Sequence, residues 1–481
     1  MSDAPPDSVA AGNVETAAPR ALVYGLAVTG VSTARALLRR GYDVVAADDA
    51  VTPERAAVAA ELGIPLLDAP DDATLADLVD ECELVSPAPG IPETHRVVRI
   101  ALQAGADVVS EIELAYRWEQ LRPGGPRPML AVTGTDGKTT TTLMTVAMLQ
   151  AAGLSTVDAG NTATPLVDAI EDDHDAFVVE CTSFRLAWTP SFRAEAAAWL
   201  NLAPDHLDWH RNLETYEDAK FRIWINQRTS DTAVGFARDA TVMRRIADAP
   251  GRVRTFGADD ADYRLERRAD GDVLVGPHGD IVRRDAMRRS LPHDVTNALA
   301  ASALVLESGL ADEGAIASAL ASFVGPRHRL EHVGRWNDID WFNDSKATTP
   351  HAAAVAIAGF DDLVLIAGGK DKGVDLAEMA VGAHHVRAVI GIATTAPSIA
   401  EAFASVPIVE TRATLTEAVD LAAQIARPGD TVLLSPGCAS LDQYPSFEAR
   451  GDEFVALVER LHRLPRSAAN ATSDPTSTGA P

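Results

Sequence analysis

Short β-branched runs alternate along the chain with amphipathic, Ala- and Leu-rich stretches. That alternation predicts parallel α/β domains rather than an all-helical or all-β protein. Three strand-like runs end directly on glycine: residues 21–24 before Gly25, Met129–Thr133 before Gly134, and residues 363–367 before Gly368 and Gly369. These openings divide the chain into three domains, expected at 19–122, 123–322 and 323–465. A Pro/Gly-rich stretch, 122–128, reads as the linker before the second. The ends, 1–18 and 466–481, are rich in small and polar residues without periodicity and read as disordered tails. No short-period repeat is present, which argues against a solenoid.

Composition adds limits. The 481 residues are 47% hydrophobic, enough for several cores. No apolar run approaches the ~18–20 residues of a membrane span. The N-terminal stretch has no basic start followed by an apolar segment, so it does not read as a signal peptide, and a cytoplasmic location is expected. Cys82, Cys181 and Cys438 are too few and too scattered for a disulfide framework or a zinc cluster. Charge says more. With 42 Lys and Arg against 69 Asp and Glu, the net charge of −27 disfavours nucleic acid and acidic membranes as partners. A phosphate or carboxylate ligand must then be held by local cations, backbone amides or metal ions.

One segment supplies such a device. A buried run leads into Gly134-Thr135-Asp136-Gly137-Lys138-Thr139-Thr140, and a helical pattern follows through Leu149. Glycines let backbone amides turn inward, so that an anion sits at the new helix N-terminus. Lys138 would reach the β/γ-phosphates and the Thr139 hydroxyl would ligate Mg²⁺. The spacing is a shortened form of the common phosphate-loop pattern, because Val132 stands where its first glycine belongs. Downstream, Glu180 and His206 follow two further apolar runs at positions expected to be strand ends, where ligand sites of open α/β sheets collect. Hard oxygen ligands with one imidazole suit Mg²⁺ or Mn²⁺ better than zinc. By composition alone, Lys220 is only a lysine on a helix face.

Together, the stretch Thr133–Thr140, Glu180, Asp205-His206-Leu207-Asp208 and Lys220 resembles the central domain of the Mur ligases. The likeness extends over about residues 20–463. It includes Gly25–Ser32 and Ser86–Pro92 on one side, and Gly325–Glu331, Asn343–Thr348, Gly368–Gly373 and Ser435–Gln443 on the other. The last motif, with Phe447 and Arg450-Gly451 after it, is typical of the D-glutamate-adding branch, and the D-N-P-R motif of the diaminopimelate- or lysine-adding branch is absent.

The resemblance implies a Rossmann-like N-terminal nucleotide domain, a central P-loop ATPase domain and a Rossmann-like C-terminal domain. It implies ATP-dependent ligation of D-glutamate to UDP-N-acetylmuramoyl-L-alanine, with Mg²⁺ and with Lys220 carbamylated by CO₂; a monomer is the default expectation. Gly134, Thr135, Asp136, Gly137, Lys138, Thr139 and Thr140 would bind ATP, joined by Arg329, Asp344 and Lys346. Thr139, Glu180, His206 and the Lys220 carbamate would hold metal, with Lys138, His206 and Lys220 catalytic. Val28, Thr29, Asp48, Gly90, Asn161, Ser183 and Arg185 would meet the UDP substrate. Thr348, Lys372, Ser440, Leu441 and Phe447 would form the D-glutamate pocket. Three departures stand out: Arg185 in place of Gln, Ala50 in place of Arg, and Pro292-His293-Asp294 in place of Gly-x-His-Asn. Arg185 is expected to supply the charge missing at Ala50 if both face one ligand. Rival readings are a folylpolyglutamate synthase, an NAD-dependent dehydrogenase suggested by Gly25, Gly30 and Asp48-Asp49, and a non-enzymatic ATP-binding protein. The first has no use for the N-terminal domain, and the second lacks a middle glycine and a use for Lys138, Glu180 and His206.

Overall fold

Runs of small and β-branched apolar residues with no helical period become strands buried on both faces, as parallel sheets require. The computed structural model describes residues 18–370, Gly373 and 375–463. The expectations for the two tails and for Lys372 lie outside these residues. In the first sheet the strands are β1 (Arg20–Tyr24), β2 (Asp43–Asp48), β3 (Leu66–Asp68), β4 (Leu84–Pro87) and β5 (Asp107–Val108). They pair in parallel in the order β3-β2-β1-β4-β5. The order reverses between β1 and β4, which opens a crevice beyond their carboxyl ends.

A second parallel sheet contains β6 (Met129–Thr133), β7 (Thr156–Gly160), β8 (Ala176–Glu180), β9 (Ala196–Trp199), β10 (Thr232–Phe236) and β11 (Arg252–Phe256). Its order is β11-β10-β9-β6-β8-β7. The loop leaving β6 therefore emerges between the ends of β8 and β9. Three short strands, β12 (Arg264–Glu266), β13 (Val273–Gly276) and β14 (Gly279–Arg283), form an antiparallel sheet.

The described residues fall into two compact units, 18–287 with 296–322, and 288–295 with 323–463. In the first unit, Val23, Leu37 and Ile112 belong to the same hydrophobic core as Met129, Phe177 and Trp199. Close packing of that shared core fixes the first sheet against the second.

The second unit is built on β15 (Glu331–Trp336), β16 (Ile339–Asn343), β17 (Leu363–Gly368), β18 (Val386–Ile392), β19 (Ile408–Arg412) and β20 (Thr431–Leu434), in the order β15-β16-β20-β17-β18-β19. β15 runs antiparallel to β16 and the other pairs are parallel. Leu365 enters one core with Ile357 and Met379, while Val364 and Ile366 enter another with Leu415 and Phe454. Alternation along β17 thus covers both faces. The segment 288–295 belongs here because Leu291 packs on the first of these cores and Arg289 bonds to the carbonyls of Val324 and Arg329. Three mainly parallel sheets confirm the α/β class. Among the described residues no helix is long and apolar enough to cross a membrane.

Candidate active site

Beyond β6 the chain turns through Gly134 (φ 155°) and Gly137 (φ 83°) into the helix Lys138–Ala151. A Cβ on Gly137 would lie 2.8 Å from Asn297 Oδ1 and 3.2 Å from Leu200, so both backbone and space demand glycine. The amides of Thr135 and Asp136 donate to Asn201 Oδ1 at 2.9 and 2.8 Å, which fixes the loop against the residue two past β9. Lys138 Nζ donates to the Gly134 and Thr135 carbonyls at 2.9 and 2.8 Å. Thr139 and Thr140 lie in the first helical turn, where backbone N–H groups lack intrahelical partners. An ammonium at a helix N-terminus makes a local anion site within an acidic protein.

Lys220, on the helix Leu213–Ile225, is buried with 1% of its surface exposed. Its Nζ donates to the Gly134 carbonyl at 2.7 Å and lies 4.7 Å from the Tyr216 ring centre. Tyr216, four residues earlier on the same helix face, places its hydroxyl 3.0 Å from Thr135 Oγ1. Burial above all, and then the Lys138 charge, hold the Lys220 ammonium well below the usual lysine range. Its amine is thereby biased toward the neutral, nucleophilic form.

Glu180 ends β8 and is buried. One carboxylate oxygen accepts from Asn161 Nδ2 at 2.8 Å, while Oε2 has no hydrogen-bond partner. A buried, unpaired carboxylate oxygen is costly unless a cation meets it. His206 follows β9 in a turn with φ 55°, its Nε2 3.2 Å from Asp205 Oδ2. Burial lowers the His206 pKa, with Asp205 opposing and both Lys138 and Lys220 assisting. Among the described residues no three His, Cys, Asp or Glu groups form a metal cage. One carboxylate and a Thr hydroxyl beside a phosphate loop nevertheless fit Mg²⁺, which completes its shell with water and substrate phosphates.

A buried relay joins this site to the crevice of the first sheet. Asn161 Oδ1 accepts from Arg185 at 2.8 Å, and the same guanidinium donates to Thr29 Oγ1 at 3.2 Å and to Glu111 Oε1 at 3.1 Å. The Ser183 hydroxyl, two residues before Arg185, is buried without a partner. The crevice is lined by Thr29, Thr33, Ser86, Pro87, Glu111 and Arg185 among others. Val28 opens the helix Val28–Arg39 and is 77% exposed, and Gly90 follows β4. A Cβ on Gly30 would sit 2.0 Å from the Gly25 carbonyl, so this helix can start so close to β1 only on glycine. Asp48 is anchored by protein: it accepts from the Leu26 and Ala50 amides at 3.0 and 3.1 Å and from Arg55 at 2.7 Å. Arg55 also donates to the Ala50 carbonyl at 2.7 Å. The positive charge beside Ala50 therefore comes from Arg55, whereas Arg185 is neutralised by Glu111.

In the second unit Asp344 directly follows β16 and is buried; its oxygens accept from Ser435 Oγ at 2.8 Å and from the Leu330 amide at 3.2 Å. Burial pushes its carboxyl up to about 6, against the pull of Arg329. The Lys346 amide bonds to the His328 carbonyl, Thr348 follows two residues on, and Ser345 Oγ donates to the Phe447 carbonyl at 2.8 Å. A bridge from Lys370 to Ala439 sets Ser440, which is buried, and Leu441, which is 61% exposed, beside the end of β17. The expected residues of this unit that lie among those described thus gather at the carboxyl ends of β16, β20 and β17. Sequence reading missed Asn201, Tyr216, Glu111 and Arg55. Tyr216 alone carried a local signal, its four-residue spacing from Lys220.

Residues 132–305 match the Mur ligase middle domain family, and residues 328–438 match the family described as Mur ligase, glutamate ligase domain. A UDP-N-acetylmuramoylalanine–D-glutamate ligase from Frankia casuarinae is 41% identical, covering 91% of this chain and 93% of that protein. One of the same name from Streptomyces coelicolor is 36% identical, covering 91% and 97%. The crystal structure of a UDP-N-acetylmuramate–alanine ligase from Thermotoga maritima covers 92% of this chain and 99% of its own with TM-score 0.55 and 19% identity, a likeness of fold.

Proposed function

Because the chain belongs to the Mur ligase family, we propose that it joins D-glutamate to UDP-N-acetylmuramoyl-L-alanine at the expense of ATP, as a cytoplasmic monomer. The observation that carries this reading is the convergence on the loop after β6 of Lys138, Lys220 and His206, whose ring lies 6.2 Å from that of Tyr216 beside Thr135, in a chain whose relatives bear that name over nine-tenths of their length. Residues 19–122 serve the uridine nucleotide through Val28, Thr29, Asp48 and Gly90, with Asn161, Ser183 and Arg185 at the muramoyl end. Residues 123–322 serve ATP, and 323–465 serve D-glutamate.

A carboxylate is a poor electrophile at neutral pH, so the alanyl carboxylate must first take the γ-phosphoryl group. Lys138 and the amides of the first helical turn hold and neutralise the phosphates, and the Thr139 hydroxyl and Glu180 Oε2 would hold Mg²⁺. When bound, Mg²⁺ neutralises developing charge on the phosphoryl oxygens. The neutral Lys220 amine attacks CO₂, forming an N–C bond and releasing one proton. The resulting carbamate presents anionic oxygens where an ammonium would repel a metal, and His206 with it would hold a second ion. Once the acyl phosphate has formed, the D-glutamate amine attacks its carbonyl carbon and phosphate departs. In the second unit we assign Asp344 to the ATP ribose, Arg329 to the adenine side and Lys346 to the phosphates. Thr348, Lys372, Ser440, Leu441 and Phe447 take D-glutamate, with Lys372 pairing to one of its carboxylates.

The test is phosphate release with ATP, Mg²⁺, UDP-N-acetylmuramoyl-L-alanine and one amino acid at a time. Release with D-glutamate alone is expected. Release with a different amino acid would overturn the assignment of residues 323–465, and no release with any would overturn the ligase reading.

A further inference from the structure

Two loops meet at the carboxyl ends of the first two sheets. One leaves β4 and carries Gly90 and Glu93. The other carries His206, Trp209 and His210. Glu93 Oε2 lies 3.2 Å from His210 Nδ1, and Glu93 Oε1 accepts from the Arg211 amide at 2.7 Å. The His210 side chain is 0% exposed and that of Glu93 8%. Trp209 Nε1 donates to the Pro89 carbonyl at 2.9 Å, and the Glu93 amide returns a bond to the Trp209 carbonyl at 3.3 Å. An ionised carboxylate only accepts, so His210 Nδ1 is the donor.

The two gripping residues are the same two whose amides close on His206. Both Trp209 N and His210 N donate to the His206 carbonyl, at 3.1 and 2.9 Å. His206 itself sits at φ 55°, a left-handed conformation that a non-glycine residue holds only when its surroundings impose it. Phe184, 4.7 Å from the His206 ring and 4.9 Å from Trp209, packs the turn from the β8 side. The His206 turn is therefore shaped from the loop after β4, across the junction of the two sheets. A purely apolar contact would fill that junction equally well but would not fix the turn's backbone.

We propose that Glu93 and His210 are positioning residues: their buried hydrogen bond holds the strained turn that presents His206 to the phosphate loop, in register with the loop that carries Gly90. The proposal rests on the reading of His206 as a metal-holding residue.

The experiment varies free Mg²⁺ at fixed saturating MgATP in wild type, Glu93→Ala, His210→Ala, His210→Asn and His206→Ala. Groups that orient a metal-binding residue typically matter about 10–100-fold in metal affinity or activity. Glu93→Ala and His210→Ala are expected to need about tenfold more free Mg²⁺ for half-maximal rate, with KM for D-glutamate unchanged, and to bind Mn²⁺ about tenfold more weakly in electron paramagnetic resonance titrations without turnover. His210→Asn, whose side-chain amide restores a donor to Glu93, is expected to recover most of the loss. Thermal melting confirms folding, and Glu93→Ala, outside the aromatic cluster, carries the test if His210→Ala folds poorly. A wild-type Mg²⁺ requirement in Glu93→Ala alongside a raised one in His206→Ala would overturn the proposal. An unchanged requirement in His206→Ala would overturn the metal reading and the proposal with it.

Discussion

Lys220 is the residue whose chemistry depends most on its surroundings. On an exposed helix face it would be a solvated cation, but here its Nζ is buried, bonded to a carbonyl and repelled by Lys138. Lys220→Ala is expected to lose nearly all activity, with no recovery at higher ATP. Depleting CO₂ and bicarbonate is expected to lower the wild-type rate reversibly. A wild-type rate indifferent to CO₂ would refute the carbamate. Asp344 shows burial acting on a carboxyl. Its pKa is raised to about 6, so the folded chain binds the proton more tightly than the unfolded one. Stability therefore falls as pH rises from the unfolded value near ~4 through ~6, by about 3 kcal/mol in all. Relative to wild type, Asp344→Asn is expected to gain stability across that window in denaturant unfolding; a pH-independent difference would contradict the assignment. Both residues were legible as members of motifs. Their environments were not, because neither Tyr216's place on the Lys220 helix nor Ser435's place at the head of a motif says which side chain it will meet. Arg55 and Glu111 were invisible for the same reason: each acts through a partner distant in sequence or across a turn.

At the scale of elements, the glycine-bounded loop was the most legible feature, since a buried strand, two glycines and a helical pattern leave few alternatives. Its energetics reside in Gly137, where φ is 83° and the space for a Cβ is taken by Asn297 and Leu200. Gly137→Ala is expected to raise KM for ATP about tenfold or more, since left-handed strain alone costs ~1–2 kcal/mol. Binding of the uridine nucleotide should hold within about twofold, and an unchanged KM for ATP would show that the loop does not bind the phosphates. Harder to read was the turn that carries His206. It has no regular periodicity, and its shape comes from Glu93 and Pro89, more than a hundred residues earlier in the chain. The segment 288–295 was similarly hidden, because only packing of Leu291 and the bonds of Arg289 reveal where it belongs.

For the whole molecule, three mainly parallel sheets follow from the alternation of apolar strands and amphipathic helices, and that alternation is written along the chain. The net charge of −27 said that anionic substrates must be met locally, and the structure places Lys138 at a helix N-terminus, as such a site would require. These features suit the ATP-dependent ligation proposed above, in which a carboxylate is activated before an amine attacks. The most direct measurement uses UDP-N-acetylmuramoyl-L-alanine labelled with ¹⁸O in its alanyl carboxylate, with ATP, Mg²⁺ and D-glutamate. Mass spectrometry is expected to find one ¹⁸O in each phosphate released, the other oxygen retained in the new amide, and the nucleotide heavier by one glutamyl residue. Phosphate without label, or a nucleotide of unchanged mass while ATP is consumed, would contradict the account.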